Sequence, residues 1–207
     1  MVETRGSGGR ADEEPLADLA RSFRMPQAVQ IAGRTSSITN SFINSIIPVV
    51  PPTPAELRQA LTILHMLDDV RCAYCGDTWT EWDHLRPLVV NKEPTGYISE
   101  IHNLVPACGK CNQSKGNRHW REWMFGPAAL SPKTRGVQFL EAKAERLEAY
   151  ESWKPPTRLD FPQLVGRELW NSHWTNYRRI IELMHEAQLV ATDIRSTIRE
   201  NYLRNSH

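Results

Sequence analysis

The chain has 207 residues, 40% of them hydrophobic and 24% charged, and a formal net charge of +1. A balance this close to zero is not the overall basic signature of a nucleic-acid binder, so any such surface has to be local. With no apolar run of about 18 residues there is no candidate membrane span, and the length suits one domain or two small ones with a sizeable core.

Residues 1–20 carry Gly, Glu, Asp and Arg with few large apolars and read as a flexible lead-in. Met1 to Arg24 holds no uninterrupted apolar stretch of signal-peptide length, so a cytoplasmic protein without a membrane partner is expected. Between Ser36 and Ile47 the apolar residues show no clean period, and Pro48, Pro51, Pro52 and Pro54 follow, which together predict a loop. Thr53 is a candidate N-cap, Pro54 suits the first helical position, and Glu56 completes a capping box. The helix it opens is predicted to run to about Asp69, with Leu57, Leu61, Leu64 and Leu67 along its core-facing stripe.

The four cysteines form two Cys-x-x-Cys pairs, Cys72/Cys75 and Cys108/Cys111, a spacing that sets four thiolates around one tetrahedral Zn²⁺. A closed shell of four sulfurs leaves no position for substrate, so such a zinc would be structural. Two disulfides or a redox Cys-x-x-Cys are the competing readings, and disulfides would need an oxidising compartment. Trp79 to Leu85 is predicted as a strand, which turns Asp83 and His84 to opposite faces. A carboxylate suits Mg²⁺, and an imidazole is a natural proton acceptor from water. A second strand, Ile101 to Val105, is predicted to end at Pro106. Cys111 to Met124 is predicted as one helix with Asn112, Lys115, Gly116 and His119 on a shared face and Trp120, Trp123 and Met124 in the core.

Six basic side chains between His84 and Arg121 (Arg86, Lys92, Lys110, Lys115, Arg118, Arg121) face two acids (Glu93, Glu100), a local surplus of four. Such a patch is enough for phosphate contact, and equally it is what a solvated helix face looks like. Beyond Gly126-Pro127, a helix from Val137 to about Tyr150 is predicted, with Leu140, Ala144 and Leu147 inward, then a break at Pro155-Pro156. From Asn171 to Leu203, Tyr177, Ile180, Met184, Ala187, Ala191, Ile194 and Ile198 step by three and four, the mark of a long amphipathic helix. Two partners suit that stripe: the chain's own domain, or a second subunit in a coiled-coil-like seam.

Strand, strand and helix with these residues resemble the HNH endonucleases of the ββα-metal fold, in the zinc-knuckle subtype whose last position is Asn. The residues that carry the resemblance are Cys72-Ala-Tyr-Cys75-Gly76, Asp83-His84, Asn103-Leu104-Val105-Pro106-Ala-Cys108 and Cys111-Asn112-Gln-Ser-Lys115-Gly116-Asn117. The resemblance implies an α+β protein, with mainly helical flanks around a ββα-metal module closed by a zinc site of four cysteines. It makes His84 the general base, Asp83 and Asn112 ligands of a catalytic Mg²⁺ that Mn²⁺ can replace, and Asn103 the residue that pins the histidine loop. Lys115, Arg118 and Arg121 become candidate phosphate contacts.

The expected layout is a flexible 1–20, a helical and loop region 21–70, the nuclease module 71–126 and a helical region 127–207. The two flanks are assigned to target recognition or dimerisation. The expected function is Mg²⁺-dependent cleavage of double-stranded DNA to 5′-phosphate and 3′-hydroxyl ends, by a homodimeric type II restriction endonuclease of prokaryotic or phage origin. A homing or phage-type nicking enzyme, and a catalytically silent zinc-stabilised DNA-binding module, are the alternatives.

Overall fold

A computed structural model describes residues 26–206, so the lead-in expected over 1–20 lies outside the described residues. After a 3₁₀ turn at Ala32–Arg34, helix α1 covers Thr35–Asn44, where a loop was predicted. Its sequence is poor in helix formers, and tertiary packing supplies what propensity does not. Ile43 is fully buried, and the Thr39 hydroxyl meets the Tyr177 hydroxyl at 2.8 Å. Helix α2, Pro54–Ile63, starts on the predicted capping box: Thr53 Oγ1 accepts from Glu56 N, and Glu56 Oε2 accepts from Thr53 N.

Helix α2 ends six residues earlier than predicted. His65 takes φ +57°, its N–H donates to Thr62 O, and Met66 N donates to Leu61 O, which together make a Schellman stop on a non-glycine residue. The predicted leucine stripe is correspondingly shortened: Leu64 is buried, whereas Leu57 and Leu67 are exposed.

The centre is a ββα unit. Strand β1, Glu81–His84, pairs antiparallel with β4, Leu104–Ala107, with Asp83 opposite Val105 and His84 opposite Leu104. A small ribbon lies between them in sequence, β2 (Val89–Val90) on β3 (Glu93–Pro94), turned by Asn91 and Lys92, both at positive φ as a two-residue hairpin requires. Ile101–Asn103 forms a 3₁₀ turn rather than strand, and β4 runs through Pro106 instead of stopping before it. Leu85 N donates to Asn103 O, and the alternation of an antiparallel ladder then turns Pro106 away from β1, where its missing N–H costs nothing. Its carbonyl accepts from Ala73 N and ties the first cysteine turn to the strand.

Helix α3 spans Gly109–Lys115 and α4 spans Trp120–Met124. The single helix predicted over this stretch is broken at Gly116, which adopts φ +53°, ψ −129°. A Cβ there would meet only Gln113 O at 3.9 Å, so conformation and not space calls for glycine. Trp120, Trp123 and Met124 are core residues as predicted, packed with Tyr74, Val105 and Leu147. Helix α5 covers Leu140–Trp153 and closes this core with Ala144, Leu147 and Tyr150. The Tyr150 hydroxyl donates to the carbonyls of Ile101 and Leu104.

A second cluster joins Ile43 and Ile47 to Leu88, Val89, Ile98, Phe161 and Trp174. It packs α1 and the short helix α6 (Phe161–Val165) against α7, a 39-residue helix over Arg167–Asn205. At about 1.5 Å per residue α7 is about 58 Å long. Tyr177, Met184, Ala187 and Ala191 are half-buried, while Ile180, Ile194 and Ile198 from the same predicted stripe are exposed, together with Leu183 and Val190. Among the described residues, packing therefore covers one edge of the stripe and leaves the other bare. No helix among the described residues is long and apolar enough to cross a membrane.

Candidate active site

Two loops and one helix start bring the four cysteines together. Cys72 and Cys75 flank a tight turn in which Gly76, at φ +78°, donates to Cys72 O. Cys108 is the residue before α3 and Cys111 lies in its first turn, where both Cys111 N and Asn112 N donate to Cys108 O. The four sulfurs lie within 4.8 Å of one another and no disulfide links them. Hydrogen bonds from Cys111 and Cys72 hold the Cys75 thiol well below its ordinary pKa, whereas Cys111 is pushed up by its neighbours Cys72 and Cys75. Thiolates this close repel one another, and a cation among them removes that repulsion. Arg135 Nη1 donates to Cys111 Sγ at 3.4 Å and adds positive charge beside the sulfurs. These residues fit a metal ion.

Asn112 follows Cys111 directly and lines one cavity of about 400 Å³ with Asp83, His84, Lys115, Gly116 and Asn117. Asp83 and His84 leave β1 on opposite faces, as the strand predicts. His84 is half-buried, and its Nε2 lies 2.9 Å from Ser99 Oγ. With the proton on Nε2 and donated to Ser99, Nδ1 is left as the acceptor. Burial, and after it the Lys115 charge, hold the imidazole down to a pKa of about 4, so it is neutral at ordinary pH.

Asn103 is fully buried. Its Oδ1 accepts from Arg86 N, and its Nδ2 donates to Arg86 O and Ile98 O. The segment after His84 is thereby fastened to the turn before β4. Arg86 is held further by an ion pair with Glu151 on α5 at 2.7 Å.

Lys115 departs from its predicted place. It was expected on the surface as a phosphate contact, yet it is 1% exposed. Its Nζ donates to His84 O at 2.8 Å and Gly116 O at 3.3 Å, and lies 3.1 and 3.2 Å from the two Asp83 oxygens. The stop at Gly116 brings its own carbonyl onto that ammonium. Tyr74, between Cys72 and Cys75, donates its hydroxyl to Asp83 Oδ2 at 2.5 Å.

Burial pushes the Asp83 carboxyl up and the Lys115 ammonium down, and each charge holds the other in place. Lys115 and Tyr74 between them engage both carboxylate oxygens. Asp83 borders the cavity together with Asn112, and a carboxylate with an amide oxygen is a hard-oxygen pair that fits Mg²⁺.

Arg118 and Arg121 are exposed, but neither is unengaged. The Arg118 guanidinium folds back on the carbonyls of Ser114 and Lys115, and Arg121 pairs with Glu148. His102 packs on Trp153 at 4.5 Å and His119 caps α4, so neither enters the cavity. Sequence reasoning missed Ser99 and Tyr74 as partners of the site. Only the position of Tyr74 inside a cysteine pair, nine residues before Asp83, hinted at a role.

Residues 72–118 match the family model described as HNH endonuclease. They form an HNH endonuclease domain. A stretch of 95 residues is 33% identical to the CRISPR-associated endonuclease Cas9 of Corynebacterium diphtheriae, covering 44% of this chain and 8% of that protein. No solved structure matches the chain. The HNH domain contains Asp83, His84, Asn103, Lys115 and all four cysteines, and supplies most of the cavity lining.

The buried ion pair gives a direct test. Lys115→Met removes the partner of a buried carboxylate and is expected to lower unfolding free energy by about 3–5 kcal/mol, read by urea denaturation. A change of about 0.5 kcal/mol or less, usual for an exposed phosphate-binding lysine, would contradict the buried pairing.

Proposed function

We propose that the chain is a Mg²⁺-dependent DNA endonuclease that cuts double-stranded DNA at specific sequences as a homodimer, in the manner of a type II restriction endonuclease. The observation that carries this is the convergence of three HNH-domain residues, Asp83, His84 and Asn112, on one cavity. His84 Nδ1 takes a proton from a water placed in line with the scissile phosphate, while Ser99 fixes the ring through Nε2. Asn103 keeps that histidine in place by holding the backbone of Arg86 and Ile98. Asp83 and Asn112 would hold the Mg²⁺, with Mn²⁺ able to substitute.

When bound, the ion supplies charge neutralisation at the phosphate and at the departing 3′ oxygen. The products then carry a 5′-phosphate and a 3′-hydroxyl. Because Lys115 already meets most of the Asp83 charge, the bound phosphate contributes much of the negative charge that the ion needs. Of the three predicted phosphate contacts, Arg118 at the cavity end of α3 is the one left exposed and without an acidic partner among the described residues.

Zn²⁺ is the ion we assign to Cys72, Cys75, Cys108 and Cys111, in a closed tetrahedral shell with a structural role. The bare edge of α7, with Ile180, Leu183, Val190, Ile194 and Ile198, is the surface we assign to the second subunit. A homodimer suits a symmetric cut of both strands.

Incubation with unmethylated DNAs and Mg²⁺, followed by sequencing of the fragment ends, is expected to give a discrete pattern. A protein that leaves no discrete fragments on several such DNAs is not a restriction enzyme. His84→Ala should lose about 10²–10⁴-fold in rate while keeping its melting temperature and its affinity for DNA; an unchanged rate would remove His84 from the base role.

Metal analysis is expected to find one zinc per chain. Its removal by a strong chelator should collapse the domain, since structural zinc sites supply about 10–16 kcal/mol. An unchanged far-ultraviolet circular dichroism spectrum and melting curve after chelation would rule the structural role out. In sedimentation, the wild type is expected as a dimer and Ile194→Glu as a monomer. A wild-type monomer that makes single-strand nicks would favour the nicking alternative.

A further inference from the structure

Helix α1 lies outside the matched segment, yet it borders the cavity. Asn40 and Asn44, one helical turn apart, line the same 400 Å³ space as Asp83, His84 and Asn112. Both are exposed, and among the described residues neither side-chain amide has a hydrogen-bond partner. The helix that carries them, Thr-Ser-Ser-Ile-Thr-Asn-Ser-Phe-Ile-Asn, has no charged residue.

Its other face is firmly held. Ile43 is buried with Trp174 and with Leu88 and Val89, which follow His84 by four and five residues. Phe42 packs on His173 and Tyr177 with ring centroids 5.1 and 5.4 Å apart, and the Thr39 hydroxyl reaches Tyr177. One cluster thus positions both the loop after the catalytic histidine and the two asparagines. The backbone that carries Asn40 and Asn44 is therefore held beside the same cavity as His84.

We propose that Asn40 and Asn44 form the second wall of the DNA cleft and hydrogen-bond a nucleotide beside the scissile phosphate. An amide offers both donors and an acceptor, and can serve a phosphate or sugar oxygen or the edge of a base. Being uncharged, this wall adds no strong counterion-release component and contributes hydrogen bonds that hold the strand in the ground state and transition state alike. The inference rests on the endonuclease reading for its substrate, and it extends that reading to residues the family domain does not contain.

The test compares wild type with Asn40→Ala/Asn44→Ala in two arms. In the first, binding of a labelled duplex of random sequence, about three helical turns long, is measured by anisotropy without divalent ion, both proteins carrying His84→Ala. The double substitution is expected to raise Kd about tenfold, the scale of losing two neutral hydrogen bonds, with an unchanged melting temperature. In the second, plasmid cleavage with Mg²⁺ is expected to show a raised KM and an unchanged kcat.

Sequenced ends separate the two sources of the contact. A shifted base preference beside the cut marks a base edge, and an unchanged preference marks the sugar-phosphate backbone. If Kd and KM both match the wild type, the wall is wrong, even if the wild type cleaves well. The binding arm needs no cleavage, so a wild type that cuts nothing counts against the endonuclease reading and leaves this one to the Kd.

Discussion

Four sulfur atoms within 4.8 Å of one another set the geometry on which the HNH domain depends. Cys72 and Cys75 come from a turn after α2, Cys108 and Cys111 from the start of α3, and a two-stranded ribbon would hardly be stable alone. Bringing the sulfurs together fixes the first turn against Pro106 and the helix start against the strand end. Asn112 is the residue after a clamped cysteine, so its side chain has little freedom in where it meets the cavity. Position at the site is therefore set one covalent bond away from the cluster.

The second constraint is the ammonium of Lys115. It joins the Asp83 carboxylate, the His84 carbonyl and the Gly116 carbonyl, linking β1 to the end of α3 through the interior. The Tyr74 hydroxyl completes the carboxylate from the cysteine turn. Asp83 is thus tied to each of the three pieces that make up the domain. Burying these charges is costly, and only their mutual pairing makes it tolerable. The same positive charge, with burial, keeps His84 neutral and able to accept a proton.

The flanks act on the domain through a separate apolar cluster. Leu88 and Val89, just past the histidine loop, pack with Ile43 of α1 and Trp174 of α7, so the long helix braces the loop beside the cavity and the short polar one lines it. That arrangement explains how a domain confined to residues 72–118 can sit inside a larger body without being remote from it. The far half of α7 has no such packing among the described residues, and its apolar edge faces outward.

Much of the site was legible in residue order because its chemistry is local. Cysteine spacing, the Asp83-His84 pair on a strand, the Thr53–Glu56 capping box and the three-and-four step of α7 each depend on neighbours within a few residues. Other features depended on distant partners. Helix α1 exists because Tyr177 and Trp174 cover it, and nothing between Ser36 and Ile47 announces that. Lys115 was read as a solvated cation because its sequence neighbours are polar, and it is buried because a carboxylate 32 residues away meets it. Gly116 was read as part of one continuous helix, and its backbone angles end that helix instead. Sequence by itself determined which groups are present and which share a turn or a face. The tertiary structure decided which charges meet and which helix faces the cavity, because burial and pairing depend on atoms that only the fold brings within reach.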